Sequence, residues 1–221
     1  DANVNNAIIT SSCIDATYKA LEIIDKYPSI FYTTVGFHPH NAKEFKESNI
    51  SIIKKLLENK HVVAIGECGL DYRRNYSEPK DQVLCFKRHL DLATNINLPM
   101  FLHEREAHED FIGMLREYIS QIENAVVHCF TGTKNALIDY LDLGVYIGLT
   151  GWICDDRRGK HLRDFIHIIP DDKCHLKTPS MSFLKIDPQL CKYDTKSKWE
   201  RDYEKCNIQK LKVEKDLKSK L

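Results

Sequence analysis

The chain has 221 residues, 32 of them basic and 32 acidic, and 43% are hydrophobic, which suits a globular protein with apolar surface enough for a sizeable core. A formal net charge of zero gives no global pull toward nucleic acid or anionic membrane, so nucleic-acid binding would have to come from a local patch or a metal. No signal peptide, lipidation motif or apolar stretch long enough to span a bilayer occurs, which argues against membrane association and points to the cytoplasm. The chain opens on Asp1 without an initiator methionine, which leaves nuclear and secreted destinations open.

The elements follow one another in a regular order. A strand-like run NNAIITSS at 5–12 precedes a helical-period segment at 16–27. IFYTTVGF at 30–37 precedes one at 48–59, HVVAIGE at 61–67 one at 79–95, and LPMFLHE at 98–104 one at 107–122. NAVVHCF at 124–130 precedes a segment at 134–141, and GVYIGLT at 144–150 follows. Most of these runs are nearly all apolar and are bounded by turn residues, the pattern of strands covered on both faces. Strand then helix, repeated, predicts a parallel α/β sheet with right-handed crossovers. No GxGxxG or GxxxxGK[ST] follows any run, so a nucleotide-binding doubly wound sheet loses its main support and a (β/α) barrel is preferred. The eight cysteines are scattered without a CxxC pair, so reduced, mostly buried thiols are expected rather than disulfides or a zinc–thiolate site.

Barrel enzymes place their working residues at the C-terminal ends of strands. Here those ends carry His38 and His40 in GFHPH, Glu67 in IGECGLDY, His103 with Arg105 in FLHER, and His128 in VVHCFTG. A buried carboxylate such as Glu67 costs several kcal/mol unless it is paired or bound to a cation. Imidazole, carboxylate, imidazole and imidazole from successive strands are hard to explain as packing. A divalent cation held by Glu67, His103 and His128 would neutralise the acid and use neutral imidazoles as nitrogen donors; Zn, Mn or Mg could be accommodated. Tyr72, Arg73 and Arg74 after the GLD turn read as substrate-loop residues. Trp152 in GLTGWIC is either a base-stacking residue or plain packing. Arg105 offers a bidentate donor to a phosphate, or else a salt bridge to Glu67 or Glu104.

Four linked strings, GFHPHNA (36–42), VAIGECGLDY (63–72), LPMFLHERE (98–106) and VVHCFTGT (126–133), resemble the TatD family of metal-dependent deoxyribonucleases over residues 5–172. The resemblance implies a (β/α)8 TIM-type barrel of the metal-dependent hydrolase kind with one or two metal ions, magnesium foremost and manganese or zinc as alternatives. It also implies hydrolysis of DNA phosphodiester bonds, often from 3′ to 5′ as an exonuclease. By the same resemblance Glu67 is the central carboxylate, His103 and His128 are imidazole ligands, and His38 lies near the scissile phosphate with His40 beside it as a substrate contact. Arg105 contacts phosphate and Asp71 supports the loop. Phosphodiester cleavage needs a water made nucleophilic near neutral pH and a countercharge for the developing phosphorane, and bound divalent metals supply both.

Two family features are missing. The His-x-His of the first strand is absent, so the barrel is expected to lack its first strand in this chain, as in a truncated form. Lys177, Thr178 and Pro179 stand where the family carries Glu-Thr-Asp. The domain expectation is a barrel over 1–184 followed by a lysine-rich segment at 185–221, helical or trailing, in which Tyr193, Trp199 and Tyr203 alternate with basic residues. A charge run of this kind is more often a solvated face than a nucleic-acid contact. Two other readings stand beside the nuclease: an amidohydrolase-like metallohydrolase acting on a small substrate, and a metal-depleted barrel serving as a scaffold.

Overall fold

The computed structural model describes residues 6–155 and 159–176, without the side chains of 175 and 176. The Lys177–Pro179 stretch and the expected lysine-rich segment at 185–221, with Tyr193, Trp199 and Tyr203, lie outside the described residues. The chain divides into two compact units, Asp1–Val127 and His128–Leu221.

The first unit alternates strand and helix: β1 (Ala7–Ile9), α1 (Ile14–Lys26), β2 (Phe31–Val35), a 3-10 helix (Pro39–Glu44), α2 (Asn49–Leu57), β3 (Val62–Asp71), α3 (Pro79–Ala93), β4 (Met100–Arg105), α4 (His108–Tyr118) and β5 (Ala125–Val127). Each strand pairs in parallel with the next in chain order, the connectivity expected of a (β/α) barrel. Proline opens α3 at a position whose missing N–H has no helical acceptor to lose, and Asp81 in its first turn complements the helix dipole. The buried side of α3 carries Gln82, Cys85, Phe86, His89 and Ala93, a helical stripe. Phe86 stacks on Phe111 of α4 with centroids 5.0 Å apart. Ile65 and Leu70 of β3 and Met100 and Leu102 of β4 are fully buried between the helices, where truncating a leucine to alanine costs ~2–5 kcal/mol.

Several boundaries differ from the sequence reading, three of them along β2, α4 and β3. The strand expected at 30–37 stops at Val35, because Pro39 starts a 3-10 helix capped by His38. The helix expected over 107–122 ends at Tyr118 and tightens into a 3-10 turn at Ile119–Gln121. The third correction bears on the site. β3 does not end at Glu67 but runs on to Asp71. Its pairing with β4 shifts between Gly66 and Cys68, so Glu67 is the extra residue of a bulge, a device that bends the strand and re-aims a side chain. Gly66 and Gly69 flank it at φ 131° and 142°. A Cβ on either would strike the carbonyl oxygen of Phe101 or His103 on β4, so only glycine lets the two strands close here.

The second unit contains α5 (Lys134–Asp142), β6 (Tyr146–Leu149), a 3-10 helix (Gly151–Cys154), α6 (Lys160–Arg163) and β7 (Cys174–Leu176), with β6 and β7 parallel. Thr133 caps α5 by accepting the Ala136 N–H at 3.2 Å. Leu137, Tyr140, Val145 and Ile147 are fully buried, and Phe130 meets the Tyr140 ring edge-on at 6.2 Å. The six described cysteines are free; Cys68, Cys85 and Cys174 are buried, while Cys13, Cys129 and Cys154 are half-buried. Among the described residues no helix is long and apolar enough to cross a membrane.

Candidate metal centre

Glu67 leaves the β3 bulge with its own N–H donating to the Ser11 carbonyl at 3.1 Å. That bond holds the bulge against the segment after β1. Its Oε1 lies 3.1 Å from His103 Nδ1 and 3.4 Å from His38 Nε2. The three side chains bring one donor atom each to within 4.8 Å of one another. The carboxylate is 12% exposed, so little water competes for it.

His103 stands between two acids, because its other nitrogen, Nε2, is 3.3 Å from Asp71 Oδ2. The same oxygen lies 2.9 Å from His40 Nε2, and the other carboxylate oxygen accepts the N–H groups of Arg73 at 3.1 Å and Arg74 at 3.0 Å. Asp71 is 1% exposed. Burial pushes its carboxyl up, but the hydrogen bonds from His103, His40 and the Arg74 N–H outweigh burial and hold it well below the usual carboxylate range. Burial pushes the His103 imidazole down, and its bonds to Asp71 and Glu67 more than reverse this, so it is pushed up to about 9. Without a metal, His103 is an imidazolium shared by two carboxylates.

His38 is set apart from His103 by its hydrogen bonding. Its Nδ1 accepts the His40 backbone N–H at 3.1 Å, so its single neutral-state proton sits on Nε2, facing Glu67. Burial, the largest influence, lowers its pKa despite the bond to Glu67. The Nε2–H of His38 is therefore a donor aimed into the cluster, whereas His103 can release its Nδ1 proton and keep Nε2–H on Asp71. Glu67 Oε1 and His103 Nδ1 form a mixed oxygen and nitrogen donor pair that fits a divalent ion, with Asp71 fixing the ring as a carboxylate behind a ligand histidine does.

The remaining expected site residues are distributed as follows. Arg105 ends β4 half-buried, and its guanidinium makes no hydrogen bond or ion pair among the described residues, so the alternative salt bridges to Glu67 or Glu104 are not formed there. Tyr72 donates its hydroxyl to the Asp110 carboxylate at 2.7 Å. Arg73 reaches Glu106 at 3.5 Å with both side chains mostly exposed. His128 is the first residue after β5 and opens the second unit. Trp152 lies half-buried in the 3-10 helix after β6. Asp71, assigned only loop support from sequence, is the hub of the cluster. The sequence held one signal for this role: an acid after a glycine turn, eleven residues before a glutamine. Gln82 clasps Asp71 from α3, accepting its N–H at 2.8 Å and donating to its carbonyl at 3.1 Å.

The profile of the family described as TatD related DNase matches residues 1–180. A curated relative from Edwardsiella piscicida, named 3′-5′ ssDNA/RNA exonuclease TatD, is 44% identical over 188 residues, covering 85% of this chain and 72% of the relative. Among solved structures, a TatD-family hydrolase from Entamoeba histolytica superposes with a TM-score of 0.70 at 33% identity, over 79% of this chain and 60% of that one. A TatD homologue from Escherichia coli K12 superposes with a TM-score of 0.72 at 27% identity, over 80% and 68%. The chain thus spans less than two thirds of the Entamoeba protein. Shared sequence over most of the chain, together with a common (β/α) TIM-barrel type of fold, makes this protein a member of the TatD related DNase family.

Proposed function

We propose that the chain is a divalent-metal-dependent nuclease that hydrolyses phosphodiester bonds of single-stranded DNA from the 3′ end. The observation that carries this reading is the convergence of His38, Glu67 and His103, clamped by Asp71, in a TatD-family chain. The activity named for the Edwardsiella relative supports the choice of substrate and polarity, and it does not favour the amidohydrolase-like alternative. The Glu67 and His103 donor pair speaks against a metal-depleted scaffold.

In this reading Glu67 and His103 hold the ion, and His128 is retained as a second imidazole ligand on the strength of the VVHCFTGT motif alone. A bound divalent ion would supply a water made nucleophilic near neutral pH and a countercharge for the developing phosphorane. Asp71 keeps the His103 proton on Nε2, which leaves Nδ1, beside Glu67, as the nitrogen that would bind an ion. His38 donates its Nε2–H to a phosphate oxygen, exchanging a bond to Glu67 for one to substrate. Arg105, with no partner among the described residues, adds a charged donor to the phosphate. Arg73 can leave Glu106 at little cost, since exposed pairs of this kind contribute at most ~1 kcal/mol. Mg2+ is the ion implied by the resemblance, and the nitrogen donor makes Mn2+ and Zn2+ its competitors.

The test is digestion of a 5′-end-labelled single-stranded oligonucleotide with Mg2+, Mn2+, Zn2+ or EDTA. The expected result is a ladder shortening one nucleotide at a time from the 3′ end, abolished by EDTA. A folded sample that leaves the oligonucleotide intact with every ion would overturn the proposal.

A further inference from the structure

The loop between β3 and α3 presents an aromatic ring that the chemistry described so far does not use. Tyr76 is 61% exposed, the most exposed of the large hydrophobic side chains among the described residues. Its ring meets the His40 ring nearly edge-on, centroids 4.7 Å apart. His40 in turn lies 4.2 Å from His38, ring to ring, and shares Asp71 with His103. Among the described residues the other exposed tyrosines, Tyr18 and Tyr27, belong to α1 and its C-cap, and Tyr27 leans on Phe31.

The backbone on both sides of Tyr76 is held by hydrogen bonds. Ser77 is 2% exposed; its hydroxyl donates to the His40 carbonyl at 2.9 Å and accepts the Lys43 N–H at 3.0 Å. Its carbonyl accepts from Gln82 at 2.9 Å. On the other side, Asn75 takes φ 47° and donates its amide to the Tyr72 carbonyl at 2.9 Å, a left-handed turn that asparagine tolerates. Tyr76 is therefore held at the rim of the cluster between the hydrogen-bonded Asn75 and the buried Ser77, with the exposed Arg73 three residues before it.

A rigid ring facing water beside a phosphate-handling site, with a cation on the same loop, is the arrangement by which proteins take up a single-stranded nucleotide: backbone charge is met by arginine and the base by an aromatic face. We propose that Tyr76 is the stacking platform for the base of the nucleotide whose phosphate enters the His38–Glu67–His103 cluster. The inference rests on the nuclease reading. One sugar separates a base from its phosphate, and one ring, His40, separates Tyr76 from His38. Stacking recognises every base by its face, so Tyr76 contributes affinity for any terminal base and little sequence preference.

The experiment is a cycle on the full chain. Wild type, Tyr76→Ala and Tyr76→Trp digest two oligonucleotides, one intact and one whose 3′-terminal residue is an abasic tetrahydrofuran. A stacking role predicts that Tyr76→Ala raises KM for the intact substrate ~10-fold with little change in kcat, because the contact is made in ground and transition states alike. Tyr76→Trp retains the wild-type KM. The abasic end raises KM for wild type by a similar factor and removes the difference between wild type and Tyr76→Ala. An equal penalty from Tyr76→Ala on both substrates, or none on the intact one, overturns stacking while the nuclease reading stands. Wild type that cleaves neither substrate with any ion overturns both.

Discussion

Asp71 and His103 stand 3.3 Å apart, carboxylate Oδ2 to imidazole Nε2, while the opposite nitrogen of the same ring reaches Glu67. Asp71 thereby decides which face of His103 is available to an ion. Because His40 binds the same carboxylate oxygen, one buried acid orients two imidazoles from two different chain segments.

Asp71→Asn keeps the size of the side chain and removes the charge that anchors both Nε2–H groups. Loss of such support behind a ligand histidine lowers metal affinity ~10–100-fold. Calorimetric titration with Mn2+ measures this, with circular dichroism confirming the fold. Unchanged affinity in a folded variant contradicts the clamp.

Metal binding and protonation compete at His103. In the metal-free protein its folded-state pKa is raised from 6.5 to about 9, so the ion pairs contribute stability that is full below pH 6.5 and lost as pH rises through 9. An ion must displace the Nδ1 proton. Apparent affinity is therefore expected to rise ~10-fold per pH unit from pH 7 to 8, with about one proton released per ion bound. Calorimetry in two buffers of different ionisation enthalpy counts the proton; release of none at pH 7 contradicts the assignment of His103.

His38 acts by donation, which predicts a separation of functions. His38→Ala removes the Nε2–H but neither Glu67 nor His103, so metal affinity stays near wild type while kcat falls ~100-fold or more, the scale of one lost general-acid or oxyanion donor. A matching collapse of metal affinity would make His38 a ligand instead.

His89 gives the fold a different pH dependence. It is fully buried; Nδ1–H donates to the Cys85 carbonyl at 2.8 Å and Nε2 accepts the Phe37 N–H at 3.2 Å. Burial pulls its pKa down to about 4 from 6.5, against the opposing effect of the Cys85 bond. A depressed histidine contributes stability that is complete above pH 6.5 and lost as pH falls toward 4. Between pH 7 and 4.5 the loss is about 2–3 kcal/mol. His89→Gln retains an acceptor and cannot titrate, so its urea midpoint is expected to fall less over that range. Parallel losses in both proteins argue against the burial account.

Much of this organisation was legible in the residues. The near-continuous apolar runs of β3 and β4 and the helical stripe of α3 announced a parallel α/β fold, because burial on both faces and on one stripe leaves a periodic record. His38, Glu67 and His103 were visible as polar residues at or near strand ends. The bulge was not, since Glu67 in the middle of a ten-residue strand depends on where β4 pairs. Nor was the hub role of Asp71, which comes from His40 and His103, 31 and 32 residues away. Hydrogen bonds between distant segments have no period to read. Tyr76 was missed for a related reason: a lone aromatic in a polar loop acquires meaning only from the ring beside it.

The most direct test of the account is to titrate wild type and Glu67→Ala with Mn2+ and to follow single-stranded DNA digestion in the same samples. The account predicts that the variant remains folded, loses measurable ion binding and loses nearly all cleavage, while wild type binds and cleaves until EDTA is added. Wild-type-like binding and cleavage by Glu67→Ala would contradict it, placing the metal and the chemistry elsewhere.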